Sequence, residues 1–204
     1  MHNFRLIAVG YFLLLFFVFL FVFARVDQSA MREAAVIATA APTVTATPEP
    51  TATPTPLPVP NPTRLVIPRL NVDVSIESKG NDAEGRMEVP SWESVAWFNQ
   101  GPKPGELGSS VIAGHYDTNT GAPATFYTLS SLQPGDLLYV ADETNAVRAF
   151  KVVDIRNYSY DLFPVNEVFD DPSGHKMNLI TCSGTWNATI SNYSDRLVVY
   201  TELQ

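Results

Sequence analysis

The chain has 204 residues, with 13 Lys or Arg against 21 Asp or Glu, and its formal net charge is −8 at pH 7. This acidity argues against nucleic acid as a partner, because phosphate backbones are bound mainly through clustered basic side chains. The chain contains a single cysteine, which excludes an intramolecular disulfide framework.

The first predicted element is an apolar segment near the N-terminus. Residues 6–24 carry no charge and are rich in Phe and Leu. A helix of this length spans about 28 Å, close to the thickness of a bilayer core. A cleaved signal peptide is the alternative, but its cleavage site follows the apolar region closely, and the best triplet here, Ala38-Thr39-Ala40, comes too late. We therefore predict an uncleaved transmembrane signal anchor over residues 1–25.

A linker rich in proline and threonine comes next. Half of the sixteen prolines lie between Pro42 and Pro62. Such a composition cannot pack a core and is typical of an extended, semi-rigid spacer. We predict that residues 26–63 form a juxtamembrane and extracellular linker, which holds a domain of residues 64–204 away from the membrane.

The C-terminal domain, residues 64–204, is predicted to be all-β. Short segments rich in Val, Ile, Tyr and Phe alternate with turn-forming Pro, Gly, Asn and Asp, which is typical of a barrel or a sandwich. Eight such segments fit a small closed barrel. One or two short helices are expected, at residues 126–132, with Phe126, Leu129 and Leu132 on one face, and at residues 165–169. Asn145 is expected in a hairpin turn. The predicted strands are 64–67, 72–77, 95–98, 110–113, 137–141, 147–156, 177–181 and 196–201.

Three chemically useful side chains lie at the ends of predicted strands. His115 follows the run Val111-Ile112-Ala113-Gly114, Cys182 ends an apolar run, and Arg196 begins the last strand. Thiol enzymes pair a nucleophilic cysteine with a histidine that is distant in the sequence. On the pattern alone, the alternatives stay open that Cys182 is a buried core residue and that His115 is a turn residue bonded to Asp117.

Other charged residues compete for these roles. Arg148 and Arg156 are alternatives to Arg196, whose own alternative role is a surface ion pair with Asp195. His175 lies in a polar, loop-like stretch and is expected to be solvated. No His or Cys cluster has the spacing of metal ligands, and the acidic pair Asp170-Asp171 is read as a solvated turn. We predict no metal and no cofactor.

The order of these motifs resembles the sortase family, the membrane-anchored cysteine transpeptidases of bacterial cell surfaces. The resemblance covers essentially all of residues 64–204. It is carried by Ile67-Pro68-Arg69-Leu70, Ile112-Ala113-Gly114-His115, Leu132-Gln133-Pro134-Gly135-Asp136, Thr181-Cys182 and the Arg196 strand. Class F is the most similar group, with classes D and E as alternatives, on the stretches Gly114-His115-Tyr116-Asp117, Gly121-Ala122-Pro123 and Phe126-Tyr127.

The resemblance implies a closed eight-stranded β-barrel and a set of catalytic roles. Cys182 would be the nucleophile, His115 the general acid and base, and Arg196 the group that stabilises the oxyanion or positions the substrate. The implied reaction cleaves an LPxTG-like C-terminal sorting signal of a secreted protein, between Thr and Gly, through a thioacyl intermediate. The acceptor would be an amine of a peptidoglycan precursor or a pilin lysine. The implied location is the outer face of a bacterial cell membrane, reached through residues 6–24.

The groove for the sorting signal is expected beside the long connection of residues 157–176. Apolar and aromatic side chains there suit the walls of a peptide groove, although the same side chains would also suit a core. The predicted substrate-binding residues are Thr181, Tyr158, Tyr160, Phe163 and Val165.

Two other functions fit parts of the pattern. A peptidoglycan L,D-transpeptidase also uses Cys, His and Arg, but it carries Ser-x-Gly-Cys at the nucleophile, whereas here Ser183-Gly184 follows the cysteine. The linker, the acidity and the barrel pattern would equally suit a non-catalytic, anchored β-domain that binds a surface ligand. It would leave the order of His115, Cys182 and Arg196 unexplained.

Overall fold

The structure, a computed structural model of the chain, describes residues 58–204. The predicted anchor, residues 1–25, and most of the predicted linker, residues 26–63, lie outside the described residues. Within residues 58–204, no helix has the length and apolar character needed to cross a bilayer. The strands are β1 (Pro62–Ile67), β2 (Val72–Lys79), β3 (Val95–Phe98), β4 (Gly108–Ala113), β5 (Leu137–Asp142), β6 (Val147–Ser159), β7 (His175–Asn187) and β8 (Asn192–Leu203), and α1 is the helix Val165–Phe169.

The eight strands close into a barrel, as predicted. Their order around the barrel is β1-β2-β3-β4-β7-β8-β6-β5. Most neighbours are antiparallel, but β2 pairs with β3 and β4 pairs with β7 in parallel. Because the barrel closes, no strand is left with an unpaired edge along its whole length. The parallel β4–β7 pair matters most for function, because it joins two strands that are far apart in the sequence.

The barrel interior is filled by alternate residues of the strands. In β5, for example, Leu138 and Val140 are fully buried while their neighbours are more exposed. This alternation follows from the pleat of a strand, which sends successive side chains to opposite faces. The largest fully buried side chains include Phe126, Phe150, Leu65, Ile67, Ile112, Leu138 and Leu179.

A smaller apolar cluster lies outside the barrel, on the other face of β4, β7 and β8. It is formed by Val111, Val168, Ile180 and Val198. Val168 belongs to α1, and the side-chain amide of Asn178 donates to the Val168 carbonyl over 2.6 Å in a buried setting. This contact fixes α1, and with it the connection between β6 and β7, against the outer face of the barrel.

The prediction that Cys182 ends its strand is wrong. β7 continues to Asn187, and β8 already begins at Asn192, so the two strands form a long hairpin. The residues after the cysteine read as a loop because they include Ser and Gly. In the structure, the register shifts between Ser183 and Trp186, and Gly184 lies in this irregular stretch at φ +80°.

The predicted helix at residues 126–132 is also wrong. Only the three residues Leu129–Ser131 form a helical turn, of the 3-10 type. The side chains expected on one helix face, Phe126, Leu129 and Leu132, are nevertheless all buried. These three side chains therefore share a buried face, although the backbone between them is mostly irregular. The helix predicted at residues 165–169 is confirmed as α1, and Asn145 adopts φ +64° in the β5–β6 turn, as predicted.

Candidate active site

Cys182 and Arg196 lie opposite each other on the β7–β8 hairpin. The two residues are direct partners in the antiparallel register. Opposite residues of an antiparallel pair have β-carbons about 4.5–5.5 Å apart, so the thiol and the guanidinium share one region of the sheet. Arg196 lies four residues inside β8 and not at the start of that strand. Both side chains are partly buried.

His115 reaches the same region from β4. The parallel register pairs Ala113 with Ile180, and the Gly114 amide donates to the Ile180 carbonyl over 3.0 Å. This bond continues the β4–β7 alignment past the end of β4, so that His115 comes level with Cys182. Gly114 is required at this step, because a β-carbon there would lie 2.5 Å from the Phe126 ring.

The loop between β2 and β3 surrounds the His115 ring. Nε2 of His115 lies 3.1 Å from the Pro90 carbonyl oxygen, and the Trp92 ring centroid lies 4.1 Å from that of the imidazole. A carbonyl can only accept, so Nε2 carries the hydrogen, and in the neutral ring Nδ1 is left to accept a proton. Burial lowers the pKa of His115, against smaller raising effects of the Pro90 contact and the Asp117 charge.

The Cys182 thiol is held mainly in its neutral form. Burial raises its pKa, the Arg196 charge lowers it, and the Asp117 charge raises it. Because the thiol pKa is raised and the histidine pKa is lowered, the resting site contains a neutral thiol and a neutral imidazole. The thiolate and imidazolium pair is a minor form.

Arg196 is the arginine that lies opposite Cys182. It donates to the carbonyls of Tyr193 and Asp195 over 3.3 and 2.9 Å, and Nη2 donates to the Asn192 side chain over 2.7 Å. Its guanidinium lies over the Tyr160 ring, 4.8 Å from the centroid. The predicted alternative, an ion pair with Asp195, is not formed, because the bond goes to the Asp195 backbone. Among the described residues, no carboxylate forms an ion pair with Arg196.

The competing charged residues are engaged elsewhere. Arg148 pairs with Asp142 over 2.8 Å, and Arg156 pairs with Asp154 over 2.7 Å. His175 begins β7, where its Nδ1 lies 2.9 Å from the Gly105 carbonyl, far along the strand from the cysteine. These three residues are therefore not part of the site.

Asp117 does not orient the histidine. Its carboxylate accepts a hydrogen bond from the Tyr193 hydroxyl of β8, which raises the tyrosine pKa to about 12. The alternative of His115 as a turn residue bonded to Asp117 is therefore not supported by any hydrogen bond between them. Asp117 instead connects the loop after β4 to the β7–β8 hairpin.

His115, Cys182 and Arg196 line one groove of about 1040 Å³. Its floor is formed by residues 113–115 at the end of β4, residues 180–182 of β7 and Arg196 of β8. One wall comes from residues 85–90 of the β2–β3 loop, and the other comes from the β6–β7 connection, which contributes Tyr160, Phe163, Val165 and Phe169.

Four of the five predicted substrate-binding residues line the groove. They are Thr181, Tyr160, Phe163 and Val165. Tyr158 does not line it. Its ring packs edge-on against Phe163 at 6.0 Å, and its hydroxyl bonds that of Tyr200 over 2.8 Å, so it supports the wall from outside. Thr181 is buried, and its hydroxyl has no hydrogen-bond partner within residues 58–204.

Comparisons with known proteins identify the family. A family model described as a sortase domain matches residues 65–204. The chain belongs to the sortase family.

Solved sortases have the same fold. Sortase C-1 of Actinomyces oris is 26% identical, with a TM-score of 0.55, over 70% of this chain and 71% of that chain. A lid mutant of sortase A from Corynebacterium diphtheriae is 20% identical, with a TM-score of 0.55, over 71% and 70%. The sortase D5 transpeptidase of Clostridium perfringens is 20% identical, with a TM-score of 0.52, over 71% and 79%. No curated protein sequence matches the chain.

Family membership makes this sortase a cysteine transpeptidase. Its single cysteine, Cys182, is free and lies in the groove. The two other functions, an L,D-transpeptidase and a non-catalytic binding domain, are therefore set aside. Among the residues that the structure describes, no group of three or more His, Cys, Asp or Glu side chains is arranged to hold a metal ion.

The wall formed by the β2–β3 loop was not found by sequence reasoning. Pro90 and Trp92 contact the histidine through a backbone carbonyl and a ring face. Neither contact has a sequence signature, because any residue offers a carbonyl and a loop tryptophan has many uses. The loop is held by Glu77, whose carboxylate accepts hydrogen bonds from Ser91 and Ser94.

Proposed function

We propose that this sortase cleaves an LPxTG-like sorting signal through a thioacyl intermediate on Cys182 and transfers the acyl group to an amine of the cell wall or of a pilin. One observation carries the proposal. A single groove brings together a thiol, an imidazole and a guanidinium that no described carboxylate neutralises. Those are the groups that acyl transfer to and from a thiol needs.

The first half-reaction follows from the properties of each group. The Cys182 sulfur attacks the carbonyl carbon of the scissile bond, and its proton passes to Nδ1 of His115. Arg196 donates to the oxygen that becomes negative, and it remains charged throughout because a guanidinium is not deprotonated in proteins. The imidazolium then protonates the leaving amine, which departs and leaves a thioester.

The second half-reaction runs in reverse with another amine. The acceptor nitrogen attacks the thioester carbonyl and gives its excess proton to His115, while sulfur leaves with the bonding pair and regains a proton. The raised thiol pKa and the lowered histidine pKa keep the reactive charged pair scarce in the resting enzyme. We therefore expect slow turnover and a bell-shaped pH profile, with limbs set by the two groups.

The shape of the groove suits an apolar pentapeptide. Its rims carry exposed apolar side chains, with Val89 67%, Tyr160 43% and Val165 55% exposed. Exposed apolar surface around a concave site is typical of ligand binding. Thr181 lines the groove next to Cys182. These features support Thr181, Tyr160, Phe163 and Val165 as substrate-binding residues.

The location of the enzyme belongs to the same proposal. The uncharged segment 6–24 has the length of a bilayer span, and the Pro-rich linker would hold the barrel at the outer face of a bacterial membrane. A surface enzyme meets secreted proteins there. Class F stays a prediction from the sequence motifs.

The test is mass spectrometry of the purified full-length protein incubated with a small library of LPxTG-type peptides. We expect an adduct on Cys182 equal in mass to the peptide up to its Thr, and the addition of an amine should convert that adduct into an amide product. Cys182→Ala should form neither species. Since the variant changes one partly buried side chain, its thermal unfolding serves as the folding control.

Absence of any adduct with every peptide would contradict the proposal, provided that iodoacetamide still labels Cys182 in the folded protein. An adduct that forms equally well with scrambled peptides would contradict the assigned signal but retain the thiol chemistry.

A further inference from the structure

Arg196 is a permanent cation that must be kept in place without a counterion. Among residues 58–204, its side chain forms no salt bridge. An arginine side chain has several rotatable bonds, so holding it in one position costs rotamer entropy. It lies directly opposite Cys182 in the β7–β8 register. A guanidinium that acts on this thiol therefore needs other contacts to fix it there.

Asn192 contacts the guanidinium from the first position of β8. Its Oδ1 accepts a hydrogen bond from Nη2 of Arg196 over 2.7 Å and another from the backbone amide of Tyr193 over 2.9 Å. Both partners are donors, so the oxygen of the side-chain amide, and not its nitrogen, must face them. Asn192 thus ties one end of the guanidinium to the hairpin through a neutral acceptor.

Tyr160 covers one face of the same guanidinium. It lies in the β6–β7 connection, and its ring centroid is 4.8 Å from Cζ of Arg196. The face of a tyrosine ring attracts a guanidinium, which also stacks on the ring because it is planar. Tyr160 is 43% exposed, so it is not simply a core residue. The ring therefore holds the arginine from an element other than its own strand.

These contacts leave two donors of Arg196 available. Nη1 donates to the backbone carbonyls of Tyr193 and Asp195, so its two hydrogens have two acceptors. Nη2 uses one hydrogen on Asn192. A guanidinium has five N–H groups. The Nε hydrogen and the second Nη2 hydrogen thus have no partner in the part of the chain that the structure describes, and they can donate to a developing oxyanion.

The partners of Arg196 are all neutral, and this matters for the thiol. A carboxylate at the position of Asn192 would hold the guanidinium equally well but would offset its charge. Burial raises the pKa of Cys182 and the Arg196 charge lowers it, while the Asp117 charge raises it. An amide oxygen and an aromatic ring keep the cation in place and leave its effect on the thiol intact.

We propose that Tyr160 and Asn192 are positioning residues, which hold the Arg196 guanidinium beside Cys182 without neutralising it. The inference rests on the proposed role of Arg196. It gives Tyr160 a second role besides lining the groove, and it gives Asn192, which also lines the groove, its role in the site. Neither residue forms or breaks a bond in the reaction.

The test compares two alkylating reagents on the full-length protein, without any peptide. Iodoacetate and iodoacetamide have similar sizes, but only iodoacetate is negatively charged. The ratio of their rates with Cys182 therefore reports the positive charge near the sulfur, because thiolate fraction and access cancel. We expect Tyr160→Leu to lower the iodoacetate-to-iodoacetamide ratio about threefold, because the cation loses the ring face. Tyr160→Phe keeps the ring and should keep the wild-type ratio.

Asn192→Asp tests whether the second contact has to be neutral. The substitution keeps the oxygen that accepts from Arg196 and Tyr193 but adds a charge. The ratio should fall about tenfold, and the pKa of Cys182, measured by the pH dependence of iodoacetamide labelling, should rise. If this variant unfolds, Asn192→Ala provides the test, since the loss of the acceptor should lower the ratio about threefold.

Phe163→Leu is the matched control. Phe163 lines the same wall of the groove, but its ring packs against Tyr158 and is not the ring that lies against Arg196. Its ratio should equal that of the wild type. An unchanged ratio in Tyr160→Leu would overturn the role of the ring, as would an equal fall in Tyr160→Phe or Phe163→Leu. A wild-type ratio in folded Asn192→Asp or Asn192→Ala would overturn the role of Asn192.

Kinetics with a reactive peptide separate this role from substrate binding. A ring that only lines the groove changes KM, whereas a ring that holds Arg196 changes kcat. We expect Tyr160→Leu to lower kcat about threefold and Tyr160→Phe to restore it. A rise in KM at constant kcat would overturn the positioning role. If no peptide reacts, the proposed function fails, and the alkylation ratios alone decide whether Tyr160 and Asn192 hold the arginine.

Discussion

The floor of the groove and its side walls are held in place in different ways. Its floor comes from β4, β7 and β8, whose backbones are hydrogen-bonded in continuous registers. Its side walls come from the β2–β3 loop and the β6–β7 connection, which are fixed by a few side-chain contacts, such as those of Glu77 and Asn178. His115, Cys182 and Arg196, the proposed reacting groups, lie on the floor, while the walls hold residues that shape the groove and surround the histidine. Chemistry is thus fixed by rigid elements, and specificity is left to loops that can vary.

The largest effect on activity is expected when the permanent charge of the floor, that of Arg196, is removed. We expect Arg196→Gln to lower kcat/KM about 10²–10³-fold, because the proposed oxyanion donor is lost. The thiol pKa should rise further, because the Arg196 charge lowers it in the wild type. Steady-state kinetics and the pH dependence of iodoacetamide labelling measure the two effects. Arg64→Gln, which breaks an exposed ion pair with Asp73, is the control and should change neither.

The alignment of the floor depends on a glycine. Gly114→Ala should destabilise the fold by about 1–3 kcal/mol and displace His115, because the new methyl group meets the buried Phe126 ring. The free energy of unfolding, measured by chemical denaturation, and kcat should both be lower in this variant. Gly101→Ala is the matched control, since its β-carbon would have its nearest contact at 3.4 Å. Equal losses in the two variants would show that the Phe126 contact has no special role.

The loop wall should control the histidine pKa. Trp92→Ala exposes the imidazole to water, so the pKa that burial lowers in the wild type should rise toward its usual value. The acidic limb of the pH profile should then move to higher pH, and Trp92→Phe should restore much of the wild-type position. An acidic limb that does not move in Trp92→Ala would contradict this role of the loop, whatever happens to the rate.

The smallest of the expected effects concerns Glu77, which holds the β2–β3 loop in place. The pKa of Glu77 is lowered from 4.5 to about 2, most strongly by the hydrogen bond from Ser94 and next by those from Ser91. A lowered carboxyl pKa gives stability that is complete above about 4.5 and is lost as pH falls toward about 2. We expect Glu77→Gln to lower the melting temperature by about 2–4 °C at pH 7 and the difference to shrink through that interval. If the difference in melting temperature did not change with pH, the charge of Glu77 would not be the source of the stabilisation.

Sequence reasoning found the floor better than the walls. All eight strands were predicted, because alternating apolar runs between turn residues carry a direct signal of barrel strands. His115, Cys182 and Arg196 were predicted as a set from the family resemblance, and the structure brings them to one groove. Their catalytic roles stay predictions until the substitutions are made.

What the sequence could not reveal depends on contacts between distant segments. The continuation of β7 past Cys182 rests on cross-strand pairing, as between Trp186 and Tyr193, across a stretch whose Ser and Gly favour a loop. The position of Tyr158 outside the groove depends on which face of β6 meets α1. The contacts of Pro90 and Trp92 with His115 join residues more than twenty positions apart through groups without a motif.

The parallel pairing of β4 with β7 has a kinetic consequence. It joins His115 to Cys182 across 67 positions of the sequence. Pairings of distant segments are costly in chain entropy and tend to form slowly. We expect the local β5–β6 and β7–β8 hairpins to form earlier. With that order of events, we expect the thiol to meet Arg196 before it meets His115, so that an incompletely folded barrel would hold a cysteine without its proposed proton acceptor.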